Sequence, residues 1–190
     1  GSDPKDYVGT IVEGITMTAA NADYAQLHLD EIKRVRDELG HVKVEQYVTV
    51  LDNAVVKLGG TADVVGIGAG KLIVSDLKTG KGWVDADSDQ LKIYALGAIR
   101  SAAKNGIPPP QSIELRIVQP HHGDVRSHSM TYADLWNWYQ NTLRPAVQAV
   151  TESAPQITPS DKACQYCPAK VVCPAQQQGF AVMAAQPDLT

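Results

Sequence analysis

The chain has no apolar run long enough to cross a bilayer, since a spanning helix needs about 20 consecutive apolar residues. Its first residues, GSDPKDYVGT, have neither the basic nor the apolar segment of a secretory signal. The Gly1-Ser2 pair reads as a cloning remnant, so the natural chain is expected to extend further at its N-terminus. There is no excess of basic residues either: 17 Lys and Arg face 21 Asp and Glu, a formal net charge of −4. That argues against a domain that grips nucleic acid by charge alone. It leaves room for a carboxylate cluster whose negative charge metal ions neutralise. Cysteine is scarce, with only Cys164, Cys167 and Cys173, all close together. An odd count in a C-x2-C-x5-C spacing argues against a secreted disulfide framework and favours a reducing compartment and a metal or cluster site. These absences together set the expectation of a cytoplasmic protein with no membrane partner.

The 190 residues, 44% hydrophobic and 20% charged, suit one globular core with a small appendage. A Val/Ile/Thr-rich stretch runs over Tyr7–Val12. Thr18 then caps an amphipathic helix from Ala19 to Leu39, with apolar Tyr24, Leu27, Ile32, Val35 and Leu39 at helical spacing and Gly40 as its stop. Three strand-like runs follow, 42–51, 54–67 and 71–79, separated by turn chemistry. They read as an antiparallel meander. A second helix is expected over 88–105 and a fourth strand over 112–119. A turn at His121-His122-Gly123-Asp124 leads to a short fifth strand over 125–130. Thr131 caps a last helix running from Tyr132 to about Ser153, with Pro145 as a kink. This order gives an α/β fold with a central mixed sheet flanked by helices. The expected domains are a core over 1–153, a Cys-rich segment over 154–180 and a disordered tail over 181–190.

The densest chemistry lies between Glu45 and Tyr94. Asp63 follows a flexible Gly59-Gly60 pair, and Asp76 and Lys78 stand two apart on an otherwise apolar strand. Side chains two apart on a strand share a face. Charges in such a strand need partners, because an unpaired buried charge is costly. A lone Asp-x-Lys is usually a surface couple; a second carboxylate one hairpin away shifts the balance toward a site. Two carboxylates can hold Mg2+ with several waters, the Leu77 carbonyl can add a ligand, and Glu45 on the neighbouring strand is a candidate third carboxylate. Gln90 and Tyr94, four apart, share a helix face; a Tyr there can equally be core.

The ordered set G-G-T-A-D, I-V-S-D-L-K-T-G-K-G and D-Q-L-K-I-Y-A-L-G-A resembles the core of the PD-(D/E)XK nuclease superfamily, in its RecB-like branch of phage and prophage proteins. The likeness covers roughly residues 42–175. It implies a restriction-endonuclease-like core and metal binding by Asp63, Asp76 and the Leu77 carbonyl, with Glu45 at a more variable acidic position. It implies catalysis by Lys78, with Gln90 and Tyr94 positioning DNA or the active site. It also implies a Mg2+- or Mn2+-dependent exonuclease acting on DNA in phage recombination, with recombination or helicase partners.

RecB-like nucleases of the AddB and CRISPR-adaptation type carry a similar cysteine triplet that joins one upstream cysteine to hold a [4Fe–4S] cluster. Cys164, Cys167 and Cys173 match the triplet, but this sequence has no upstream cysteine. Zinc with a histidine ligand, and free thiols, are the other readings. Other signals carry less. Gly66–Lys71 lacks the spacing of a phosphate-binding loop and reads as a hairpin turn. His121, His122 and His128 read as a solvated turn and strand edge, and Trp136 and Trp138 as helix packing. Lys78, Lys81 and Arg100 can make a local basic patch. Two alternatives stand beside the nuclease: a catalytically degenerate DNA-binding or structural module of the same fold, and a redox sensor built on the cysteines.

Overall fold

The structure, a computed structural model, describes residues 2–151 and 156–177. The expected end of the last helix at Ser153, the start of the Pro-rich linker and the tail beyond Phe180 lie outside the described residues. The chain divides into two compact units, Gly1–Pro145 and Ala146–Thr190, so the division falls before the expected boundary at 153.

The first unit opens with a single turn, Pro4–Tyr7, and a hairpin of two short strands, β1 (Ile11–Val12) and β2 (Ile15–Thr16). Helix α1 (Ala19–Leu39) begins where expected because Thr18 and Asn21 cap each other reciprocally. It stops at Gly40, whose φ of 76° suits a residue without a side chain. Strands β3 (Lys43–Asp52), β4 (Lys57–Gly68) and β5 (Lys71–Leu77) form the antiparallel meander. The β4–β5 turn is the pair Ala69-Gly70, both at positive φ, the geometry that matches strand twist in a two-residue hairpin. Ser88 caps α2 (Asp89–Ala103). The chain returns as β6 (Ser112–Gln119), parallel to β5, and β7 (Asp124–Thr131) closes the five-stranded mixed sheet in the order β3-β4-β5-β6-β7.

The helices cover opposite faces of the sheet. A side chain at Gly66 would strike Val35 and Leu39 of α1. Its neighbours Val65 and Ile67 line a cavity with Ala98 and Ala102 of α2. Successive strand residues point to opposite faces. Strand β5 is therefore buried on both sides, as its nearly continuous apolar run requires. The mixed α/β sheet flanked by helices expected from the sequence is the fold observed. Helix α3 (Tyr132–Trp138) starts on a capping box between Thr131 and Asp134. The expected single long helix is interrupted by a wide turn over Tyr139–Leu143, where the Arg144 amide donates back five residues to Tyr139, before α4 (Arg144–Val150). Pro145, lacking an N–H, sits just past the widened turn.

One feature of the core has no counterpart in the sequence reading. Glu31 of α1 and Arg116 of β6 are both buried. Arg116 donates to Glu31 (3.1 Å), Glu38 (2.9 Å) and Glu114 (2.8 Å), and Lys71 pairs with Glu38 and Glu114. Lys71, then Arg116, hold the Glu38 carboxyl below its ordinary range; Arg116, then Lys71, do the same for Glu114. Removing one partner of a buried pair leaves a bare charge, so Arg116→Ala should cost about 3–5 kcal/mol in urea unfolding at pH 7. Because both glutamate pKa values are depressed in the folded state, their contribution is present above the unfolded value near 4.5 and is lost as pH falls through the folded ones. Wild type should therefore lose more stability than Arg116→Ala on acidification below pH 4.5. Parallel stability–pH curves would contradict this account.

Candidate active site

The parallel partners β5 and β6 end side by side, with Leu77 opposite Val118 and the Lys78 amide donating to the Val118 carbonyl at 2.8 Å. The charged residues of the sequence motif gather at this end of the sheet. Asp76 is 3% exposed. Lys78 shares its face and brings Nζ to 2.5 Å from Asp76 Oδ2. That contact is a charge-assisted pair, and it gives the buried Oδ2 its partner. Burial pushes the Asp76 carboxyl up; Lys78 opposes this, the negative charge of Asp63 adds to it, and His28 opposes it. Asp63, on β4, is fixed from the adjacent strand: its Oδ2 accepts the Leu77 amide at 2.7 Å. The Leu77 residue named from the sequence thus meets Asp63 through its N–H.

Gln90 and Tyr94 complete a relay from the first turns of α2. Lys78 Nζ donates to Gln90 Oε1 at 2.9 Å, and Gln90 Nε2 donates to the Tyr94 hydroxyl at 2.8 Å. Tyr94 is buried and lies against Gly60, where an added Cβ would stand 2.9 Å from its ring. At Gly59 an added Cβ would strike the Val48 carbonyl. The glycine pair expected to supply flexibility instead supplies room: neither residue has a positive φ, and both let a neighbour approach closely.

Asp63, Asp76, Lys78, Gln90 and Tyr94 are therefore brought together. Glu45 is not. It is exposed, at φ 50°, in the part of β3 that runs opposite Asp63, and among the described residues it makes no hydrogen bond or ion pair. A positive φ in a non-glycine residue marks a local break in the strand, and alternation along β3 does not predict where such a side chain goes. No three His, Cys, Asp or Glu side chains stand close enough, among the described residues, to hold a metal by themselves. In the second unit, Cys164 and Cys173 are half-buried and Cys167 is exposed. Cys164 Sγ accepts from Gln176 at 3.7 Å, and the three thiols do not gather into a site.

Sequence reasoning missed His28. It lies on α1 four residues after Tyr24, its Nδ1 is buried without a hydrogen-bond partner, and it is near enough to Asp76 to favour the ionised carboxyl. A lone histidine on an amphipathic helix carries no local motif, so only the packing of α1 on the sheet reveals it. Of the three basic residues weighed as a patch or an ordinary charged surface, Arg100 donates to the Val50 carbonyl, Lys78 faces the acidic pair and Lys81 is exposed.

The site thus stands at the ends of two parallel strands of a mixed α/β sheet. The chain belongs to the family described as "Protein of unknown function (DUF2800)", whose model matches residues 12–188. It is also similar to a solved structure titled "Crystal structure of SSO0001", at 18% identity, over 84% of this chain and 72% of that one, with a TM-score of 0.40.

The Gly60–Tyr94 approach has a direct consequence. Gly60→Ala forces a methyl into the Tyr94 ring, and overpacking of this kind costs about 1–3 kcal/mol. Combined with Tyr94→Ala, the two changes should be non-additive by at least about 0.5 kcal/mol in a double-mutant cycle of denaturant unfolding. Additive effects would place the cost of the methyl elsewhere.

Proposed function

We propose that this protein is a metal-dependent DNA nuclease, with Asp63 and Asp76 holding Mg2+ or Mn2+ and Lys78 as the catalytic cation. One observation carries the reading: the buried Asp76 carboxylate, the Asp63 carboxylate and the Lys78 ammonium converge on the same strand ends. A second negative charge beside the buried Asp76 carboxylate is costly, and the one Lys78 ammonium balances only one of the two. A divalent cation fits that donor set, since Mg2+ commonly takes one or two carboxylates and keeps waters. His28 is a further ligand candidate, with its buried Nδ1 unengaged, and the Leu77 carbonyl is another.

When bound, the metal would supply Lewis-acid polarisation of a phosphodiester and a lowered pKa for its water. The protein's own residues do the rest. Asp63 is held in place by the Leu77 amide, so its carboxylate does not have to reorganise on binding. The Lys78 ammonium, steered by Gln90, offers positive charge where negative charge develops on the phosphate. Gln90 and Tyr94 act as positioning residues for Lys78. The finer reading follows the sequence resemblance: an exonuclease of the RecB-like branch, cytoplasmic, working in phage recombination or DNA processing beside recombination or helicase partners.

Cys164, Cys167 and Cys173 do not by themselves fit a [4Fe–4S] cluster, being ungathered and lacking a fourth cysteine in this sequence. A cluster on these three cysteines would take a fourth ligand other than a cysteine of this sequence. The second functional reading, a DNA-binding or structural module without activity, draws on Glu45, which stands exposed and unengaged rather than in the site.

Incubation with linear and circular DNA in Mg2+, Mn2+ or EDTA separates these readings. The nuclease reading expects metal-dependent loss of linear DNA and a fall of at least about a hundredfold in Lys78→Ala, the scale seen when one transition-state donor is removed. Activity that survives both EDTA and Lys78→Ala rules the mechanism out. DNA binding with no cleavage under any metal favours the inactive module.

A further inference from the structure

The segment between Lys78 and α2 is held by an unusual concentration of side-chain hydrogen bonds. Gln119, the last residue of β6, is fully buried. Its Nε2 donates to the Gly80 carbonyl (2.9 Å) and the Gly82 carbonyl (2.6 Å). Its Oε1 accepts from Arg126 (2.5 Å) and from the Val84 amide (3.4 Å). Arg126 also donates to the Val84 carbonyl at 2.8 Å, and His122 lies 3.1 Å from the Lys81 carbonyl. Residues 80–84 are thus clamped to the same end of the sheet that carries Asp76 and Lys78. Ordinary surface loops need no such anchoring.

What the clamp presents is Trp83. The Arg126 guanidinium lies 3.8 Å over its ring, and His122 meets it at 74°. The indole is nevertheless 64% exposed. A single exposed apolar residue needs no explanation by itself. Here an indole is stacked on a cation, fixed by a buried glutamine, flanked by exposed Lys81 and placed five residues after Lys78. A π face beside positive charge is the recognition chemistry of single-stranded nucleic acid, where bases stack and phosphates are neutralised.

We propose that Trp83 is a base-stacking platform that binds a nucleotide of single-stranded DNA next to the scissile position, with Arg126 backing the ring and Lys81 facing the phosphates. The proposal rests on the nuclease reading for its choice of ligand. It accounts for the arrangement of Gln119 and Arg126, whose hydrogen bonds hold the loop rather than the acidic pair.

The test uses a fluorescein-labelled oligothymidylate and an abasic oligonucleotide of equal length, with binding measured in EDTA by anisotropy. Base stacking on one aromatic residue is worth about five- to a hundredfold in affinity. Trp83→Ala should weaken oligothymidylate binding within that range, Trp83→Phe should retain most of it, and neither should change binding of the abasic strand. Hydrolysis of bis(4-nitrophenyl) phosphate, a diester without bases, is followed in Mg2+ and Mn2+ and should be the same in wild type and Trp83→Ala. Equal oligothymidylate affinity in wild type and Trp83→Ala overturns the platform, as does an equal loss on the abasic strand. If the binding contrast holds while neither DNA nor the diester is hydrolysed, the platform stands and the hydrolytic reading alone fails.

Discussion

A carboxylate sealed from water at the end of an apolar strand is the constraint around which this molecule is arranged. Asp76 follows Leu72, Ile73, Val74 and Ser75, all buried, on a strand covered by helices on both faces. Desolvation there disfavours its charge, and the nearby Asp63 disfavours it further. Lys78, 2.5 Å from Oδ2, offsets part of this. Folding stability alone gives no reason to keep such a group, since an apolar residue at this position would avoid the desolvation cost. On the proposed reading, a bound cation does.

The contrast with the other buried charge cluster sharpens the point. Arg116 engages three carboxylates, and Lys71 engages two of the same three. Every charge there has a partner of opposite sign, so that network ties α1 to β5 and β6 and needs no ligand. At the strand ends one ammonium, Lys78, faces two carboxylates, Asp63 and Asp76. The two regions are built from the same residue types and differ in how many cations face their carboxylates.

Much of this was legible in the sequence because it rests on local rules. The limits of α1 follow from the Thr18 cap and Gly40, β6 from the clean run of Ser112–Gln119, and the shared face of Asp76 and Lys78 from strand alternation. The coarse fold followed from the order of elements. What stayed hidden depends on packing between distant segments. The parallel pairing of β5 with β6, the meeting of Glu31 with Arg116, and the approach of His28 to Asp76 all join residues far apart in the chain. Glu45 lies on the neighbouring strand, across from Asp63, but at a positive φ that strand alternation does not anticipate. The glycine pair was noticed for the wrong reason, since its role is proximity to Tyr94 and Val48.

Equilibrium binding of Mn2+, followed by electron paramagnetic resonance or calorimetry without DNA, tests the central claim most directly. The account predicts a saturable site in the wild-type protein that disappears in Asp76→Asn and in Asp63→Asn, while both variants keep their folded circular dichroism spectra. Mn2+ binding that is unchanged by either substitution would contradict it.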